Sequence, residues 1–224
     1  MAAPMGTAAA AAGTVTWTLA AQWELNEPAG ATVMSDSVGT HTGAIGSGVQ
    51  TGAATPTGLG YHFGAVGAFD RTHLVTVPDS ADLNPGDGGM AVTVVVKSGA
   101  GNQNITQKGQ ANMAGGYWKI DMNHGQAICL FRDGANLTDA VTSKQTLWDG
   151  SYHTVRCERA PVKGPGGVKI YVDGVLSNQG PRDTGTISNT KLLSIGGKYY
   201  CDGKSVGCDY FNGVLDSETI EASS

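Results

Sequence analysis

The chain has 224 residues, 34 of them glycine and 7% aromatic, with a formal net charge of -5 from 14 basic and 19 acidic side chains. Glycine at this level favours tight turns over long helices, and the lack of any Lys/Arg cluster argues against a nucleic-acid groove. No run reaches the roughly 18 apolar residues that a membrane-spanning helix needs.

Residues 1–13 are mostly Ala, with Gly, Thr and Met and no Lys or Arg. They read as a flexible N-terminal segment rather than an intact signal peptide. Residues 14–221 show no internal repeat and no interdomain linker, so they read as one all-β domain. Strands are expected over residues 13–19 and 22–25, with Trp17 and Trp23 in the core. Residues 40–60 are rich in Gly, Thr and Ala and read as a long surface loop with one short strand. Strands resume over residues 61–63 and 74–77, the second ended by Pro78. Residues 79–86 read as a turn, at most one helical turn.

Residues 90–97 form the most apolar strand, with Val92, Val94, Val95 and Val96 covered on both sides. A meander follows over residues 105–108, 117–121 and 127–132, with turns at Asn123, His124 and Gly125 and at Asp133 and Gly134. A further strand is expected over residues 152–158. Val168, Ile170 and Val172 then alternate with Lys169, Tyr171 and Asp173, a period of two that puts the β-branched residues on one buried face. Asp173 and Gly174 follow, a two-residue hairpin signal whose positions both need positive φ. The last strands are expected over residues 192–196 and 213–220.

The four cysteines fall into two natural pairs. Cys201 and Cys208 enclose six residues and can staple a short loop. Cys129 and Cys157 lie in expected strands that would meet as antiparallel neighbours. This pairing, one of three possible, implies an exported protein. A zinc site lacks the close Cys pair or histidine it would need.

Catalytic patterns are sparse. A glycosidase needs two carboxylates flanking the scissile bond, but Glu24 and Glu27 are three apart, as are Glu218 and Glu221, so each pair splits between strand faces. No Gly-x-Ser-x-Gly elbow and no Gly-x-Gly-x-x-Gly cradle is present. Tyr117, Lys119, His124 and Arg132 could gather on one face as a lyase site, with a cation for a uronate and a Tyr or His base. The alternative is an ordinary solvated polar face. For glycan binding, Trp118, Trp148, Tyr199, Tyr200 and Tyr210 are candidate platforms. Tyr199 and Tyr200 directly precede the Cys201–Cys208 loop, which would hold Asp202, Lys204 and Asp209 beside an aromatic surface. The binding set expected from these considerations is Trp118, Tyr199, Tyr200, Asp202 and Asp209.

Several segments, in order, carry a family resemblance: residues 23–27 (Trp-Glu-Leu-Asn-Glu), 36–39 (Asp-Ser-Val-Gly), Phe63, Val77 with Pro78, 90–97, 148–155 (Trp-Asp-Gly-Ser-Tyr-His-Thr-Val), 170–174, 193–197 and 211–216 (Phe-Asn-Gly-Val-Leu-Asp). Their order and spacing resemble the concanavalin A-like lectin/glucanase superfamily, in its bacterial laminin G-like or pentraxin-like branch. The resemblance implies a two-sheet antiparallel jelly-roll sandwich over about residues 17–220. It also implies glycan or calcium binding, in modules often attached to secreted hydrolases. The resemblance brings the N-terminal loop beside the C-terminal strand, where similar domains bind calcium. Asp36, Asp216 and Asn26 are the expected ligands of such a structural ion. The resulting expectation is a secreted, calcium-stabilised, non-catalytic module for an extracellular polysaccharide or glycan, or for a cell-surface protein. A polysaccharide lyase and a purely structural module of a larger secreted protein are the alternatives.

Overall fold

The computed structural model describes residues 15–164 and 166–223; the whole of the expected N-terminal segment, residues 1–13, lies outside them. Sixteen strands occur among the described residues. They are β1 (Thr18–Trp23), β2 (Val33–Met34), β3 (Gly43–Ile45), β4 (Val49–Thr55), β5 (Gly58–Phe63), β6 (Val75–Val77), β7 (Gly89–Ser98) and β8 (Gln103–Lys108). Then come β9 (Tyr117–Asn123), β10 (Gln126–Arg132), β11 (Thr138–Thr142), β12 (His153–Arg159), β13 (Val168–Val172), β14 (Val175–Gln179), β15 (Leu193–Ile195) and β16 (Gly213–Ser223). The expected turn near Asp82 is a single 3-10 turn, Ala81–Leu83.

The strands form two antiparallel sheets, the sandwich expected from the resemblance. The first runs β14-β13-β12-β7-β16-β5-β4, with β1 also paired to β16. The second runs β11-β10-β9-β8-β15-β6-β3-β2. β7 is central in its sheet, between β12 and β16. Period-two patterning places the core: Val155 and Cys157 of β12, Val168, Ile170 and Val172 of β13, and Val92, Val94 and Val96 of β7 are all buried. They face the second sheet, whose Ile105, Trp118, Ile120, Ala127, Cys129 and Phe131 belong to the same core cluster. Burying a large apolar side chain contributes about 1.5–3 kcal/mol, so this cluster dominates stability. The β13–β14 turn has Asp173 at φ 51° and Gly174 at φ 76°, the positive angles the hairpin signal required.

Both disulfides form in the expected pairing, with Cα–Cα distances of 5.5 Å for Cys129–Cys157 and 5.0 Å for Cys201–Cys208. The reason for the first differs from expectation. Cys129 lies in β10 of one sheet and Cys157 in β12 of the other, so the bridge crosses the core rather than joining neighbouring strands.

Two further expectations are corrected. Residues 40–60 hold three strands, not a loop with one. Trp23 is fully buried, with its Nε1 donating to the His41 carbonyl at 2.7 Å, but Trp17 is only half-buried and sits outside the core.

Two buried cations tie loops to the sheets. Arg159 is 1% exposed and donates to the carbonyls of Gly86, Gly88, Thr184 and Gly185 and to the Thr184 hydroxyl. Lys108 is fully buried, its Nζ 2.6 Å from Asp79 Oδ1 and 2.8 Å from the Lys191 carbonyl.

Candidate functional site

The Cys201–Cys208 loop builds the most elaborate surface feature. Asp202 opens the loop, and its Oδ1 accepts the Lys204 and Val206 N–H groups, each at 2.8 Å. Those N–H groups, Val206 first, hold its carboxyl below the ordinary value. Asp202 therefore shapes the loop, although it is also exposed. At the other end, Lys198 donates its N–H to the Cys208 carbonyl at 2.9 Å, and its ammonium pairs with Asp209. The Asp209 carbonyl accepts the Asn104 N–H at 2.6 Å, which joins the loop to β8.

The aromatic residues before the loop are fixed in place. The Tyr199 and Tyr200 rings meet edge to face at 5.1 Å. The Tyr200 hydroxyl accepts the Leu192 N–H at 3.2 Å, and the Lys191 ammonium lies 5.8 Å from its ring centre. The Arg71 guanidinium lies 4.6 Å from the Tyr199 ring centre and 5.1 Å from that of Phe69. Arg71 Nε also donates to the Tyr199 carbonyl at 3.2 Å. Phe69 is 47% exposed, a large apolar side chain presented to solvent. Tyr210 braces the same corner, its hydroxyl accepting the Asp70 N–H at 2.6 Å. Beside this cluster lies a cavity of about 330 Å³ bordered by Phe69, Asn102, Gly207, Asp209 and Tyr210. The arrangement offers an aromatic–cation platform next to a polar recess.

A charged pair lies near the loop. Asp121 of β9 pairs with Lys119 and also feels Lys198 and Asp209. Burial pushes its carboxyl above the ordinary value, while Lys119 pulls the other way. Asn104 is opposite Asp121 across the β8–β9 ladder. Its Nδ2 donates to Gln107 Oε1, whose amide is oriented by the bond from Gln107 Nε2 to the Gly109 carbonyl at 2.7 Å. That chain fixes Asn104 Oδ1 as an acceptor, and neither it nor Asp121 Oδ1 has a partner among the described residues.

Of the expected binding set, Tyr199, Tyr200, Asp202 and Asp209 fall together at this corner. Trp118 does not: it is fully buried, and its Nε1 donates to the Leu83 carbonyl at 3.1 Å. Strand alternation explains the error, because Lys119 faces outward and its neighbour must face the core. Phe69 and Arg71, which complete the platform, escaped the sequence reading. The only signal was an aromatic residue stranded in a glycine-rich stretch.

The lyase set does not gather. Tyr117 and Arg132 are cross-strand partners, but Arg132 donates to Asn136 Oδ1 at 2.8 Å. His124 sits in the turn beyond the far end of β9, at φ 49° and exposed. Strand rise puts it about 20 Å from Tyr117.

The donor set expected for calcium was Asn26, Asp36 and Asp216. Asp36 accepts the N–H groups of Gln22 and Val38 on Oδ1, at 3.0 and 3.1 Å, and of His41 on Oδ2 at 3.0 Å. Burial would raise its carboxyl, but these backbone donors outweigh it and hold the value below the ordinary one. Asp216 is 1% exposed and accepts both Thr55 and Thr57 hydroxyls, the latter at 2.6 Å. Asn26 is exposed. Among the described residues no group of three or more His, Cys, Asp or Glu side chains is placed to hold a metal. Asp36 is thus engaged by the backbone of residues 22–41, and Asp216 by the hydroxyls of Thr55 and Thr57.

Comparison with known proteins agrees with this architecture. Among solved structures, the chain is similar to the botulinum neurotoxin serotype G binding domain, at 13% identity and TM-score 0.66, covering 91% of this chain and 47% of that one. It is similar to the binding domain of Paraclostridial Mosquitocidal Protein 1, at 12% identity and TM-score 0.62, covering 88% of this chain and 49% of that one. The chain thus spans about half the length of these toxin domains. It is also similar to domain 4 of AbnA, a GH43 extracellular arabinanase from Geobacillus stearothermophilus solved in complex with arabinotriose. That match has 15% identity and TM-score 0.62, covering 93% of this chain and 95% of that one. At these identities the likeness shows the fold alone. No match is found among curated protein sequences. A laminin G family model, described as concanavalin A-like lectin/glucanases superfamily, matches residues 69–221. The chain therefore belongs to the concanavalin A-like lectin/glucanases superfamily.

Proposed function

We propose that this chain is an extracellular carbohydrate-binding module that works without catalysis, its sugar stacking on the platform of Phe69, Arg71 and Tyr199. The observation that carries this reading is the aromatic–cation stack held beside a cavity by a disulfide-closed loop. A sugar ring presents apolar C–H faces to an aromatic surface and hydroxyls to polar groups such as Asp209 and Asn102 at the cavity edge. Holding the loop in place before binding lowers the ordering cost of association. Two disulfides among the described residues support an oxidising, extracytoplasmic setting. The AbnA domain, which matches this chain over nearly its whole length, was solved with arabinotriose, and that supports a glycan as the ligand.

The test is a glycan array followed by calorimetric titration of the oligosaccharides retained, with arabinotriose included as a probe. Phe69→Ala and Tyr199→Ala should each weaken binding about tenfold, the scale of one lost aromatic contact. Failure of every oligosaccharide to bind, or affinity unchanged in both variants, overturns the reading.

A further inference from the structure

A second cavity lies on the outer face of the first sheet, away from the Cys201–Cys208 corner. It has a volume of about 300 Å³ and is bordered by Val15, Trp17, Pro161, Glu158 and Lys169. That volume is at the small end of ligand sites, the size of a single ring unit. Strand alternation explains the polar side. Val155 and Cys157 of β12 and Val168 and Ile170 of β13 face the core, so Glu158 and Lys169 point outward. The apolar side comes from the segment preceding β1, where Trp17 and Val15 pass over this face.

The charges in this cavity are unevenly satisfied. Glu158 and Lys169 are direct cross-strand partners. Glu158 nevertheless turns to Arg156, whose Nε donates to it at 2.7 Å. Arg156 pairs with Glu221 as well and lies 5.3 Å from the Trp17 ring centre, which fixes the indole. Among the described residues no carboxylate lies within ion-pair distance of Lys169. A half-buried ammonium without a counter-ion borders a cavity with an indole wall. Next to Pro161, across Gly89, the buried Ser223 hydroxyl also lacks a partner among the described residues.

We propose that this cavity is a second ligand site that takes one acidic sugar unit, its ring against the Trp17 indole and its carboxylate on the Lys169 ammonium. The indole and its aliphatic neighbours suit the C–H face of a pyranose, and the Glu158 oxygens accept ring hydroxyls. The unpaired ammonium selects an anion over a neutral sugar, because a charge-assisted hydrogen bond is about twice as strong as a neutral one. This site shares no residue with the Phe69–Tyr199 platform and stands whether or not that platform binds. Where both operate, one module engages two glycan segments at once and gains avidity without new contacts.

Saturation-transfer NMR and titration of the full chain with sodium glucuronate test the proposal, with glucose and acetate as comparators. Glucuronate should show saturation, and Lys169→Met and Trp17→Ala should each raise its Kd about tenfold. Tyr199→Ala should leave glucuronate binding unchanged while it weakens platform binding about tenfold, so the two sites fail independently. Lys169 is half-buried on a strand surface, and Lys169→Met carries the test if Trp17→Ala does not fold. Four results would overturn the proposal: no saturation by glucuronate, equal binding of glucose, equal binding of acetate, or a Kd unchanged in Lys169→Met.

Discussion

Glu218 lies on β16 in the middle of the sandwich, paired in register with Trp23 and Val94, and is fully buried. Its Oε1 accepts the Thr106 hydroxyl of the other sheet at 2.8 Å, and its Oε2 has no partner among the described residues. Burial pushes the carboxyl from 4.5 up to about 8, with the Thr106 bond pulling weakly the other way. The folded chain therefore keeps a proton that the unfolded chain has released above pH 4.5. Stability from this group is full at acid pH and falls as pH rises through that window. A rise of this size amounts to about 5 kcal/mol once both forms are ionised, of which about 3 kcal/mol is already lost at pH 7. That is a large part of the roughly 5–15 kcal/mol by which domains are stable. Glu218→Gln keeps the shape and removes the titration. Denaturant unfolding of both proteins between pH 5 and pH 9 measures the effect. The advantage of Glu218→Gln over the parent should grow by about 4 kcal/mol across that range. A difference that stays constant with pH would show that Glu218 is not a buried acid and refute the reasoning.

Arg159→Met should cost about 3–5 kcal/mol in chemical denaturation, because it strands the buried carbonyls of Gly86, Gly88, Thr184 and Gly185. Calcium added to chelator-treated protein should leave Tm unchanged, and Asp216→Ala should lower Tm equally with and without calcium, since its carboxylate holds Thr55 and Thr57. His153 has Nδ1 2.9 Å from Asp173 and Nε2 3.1 Å from Asp149, and a neutral ring cannot donate from both nitrogens. Burial lowers its pKa, but the hydrogen bonds to Asp173 and Asp149 outweigh this and raise it above 6.5. NMR titration should find that raised value. The His153 contribution to stability should be full below pH 6.5 and lost as pH climbs through the folded value.

The sequence made the regular strands of the sandwich legible and hid those whose glycines serve packing. Val168–Val172 and its Asp173–Gly174 turn follow from alternation and positive φ alone. Residues 40–60 resemble a loop because β3, β4 and the first half of β5 are rich in Gly, Ala and Thr. Gly60 shows why: a Cβ there would collide with the Leu215 carbonyl, so close approach of β5 to β16 demands glycine within a strand. The cysteine pairing was readable, yet its reason was not, because spacing along the chain says nothing about which sheet a strand joins. At the candidate site, Tyr199, Tyr200, Asp202 and Asp209 are neighbours in sequence and were visible as a cluster. Arg71 and Phe69 reach them from some 130 residues away, a juxtaposition made only by the fold. The hydrogen bonds that Asp36 and Asp216 accept were not legible, because carboxylates in turns and at strand ends look alike in sequence.

The most direct measurement of the central claim is an amide shift map of the folded chain titrated with the tightest oligosaccharide from the array. The account predicts saturable shifts concentrated at residues 69–71 and 199–210, with saturation needing about tenfold more ligand in Phe69→Ala and in Tyr199→Ala. Saturable shifts that leave both segments untouched would contradict it.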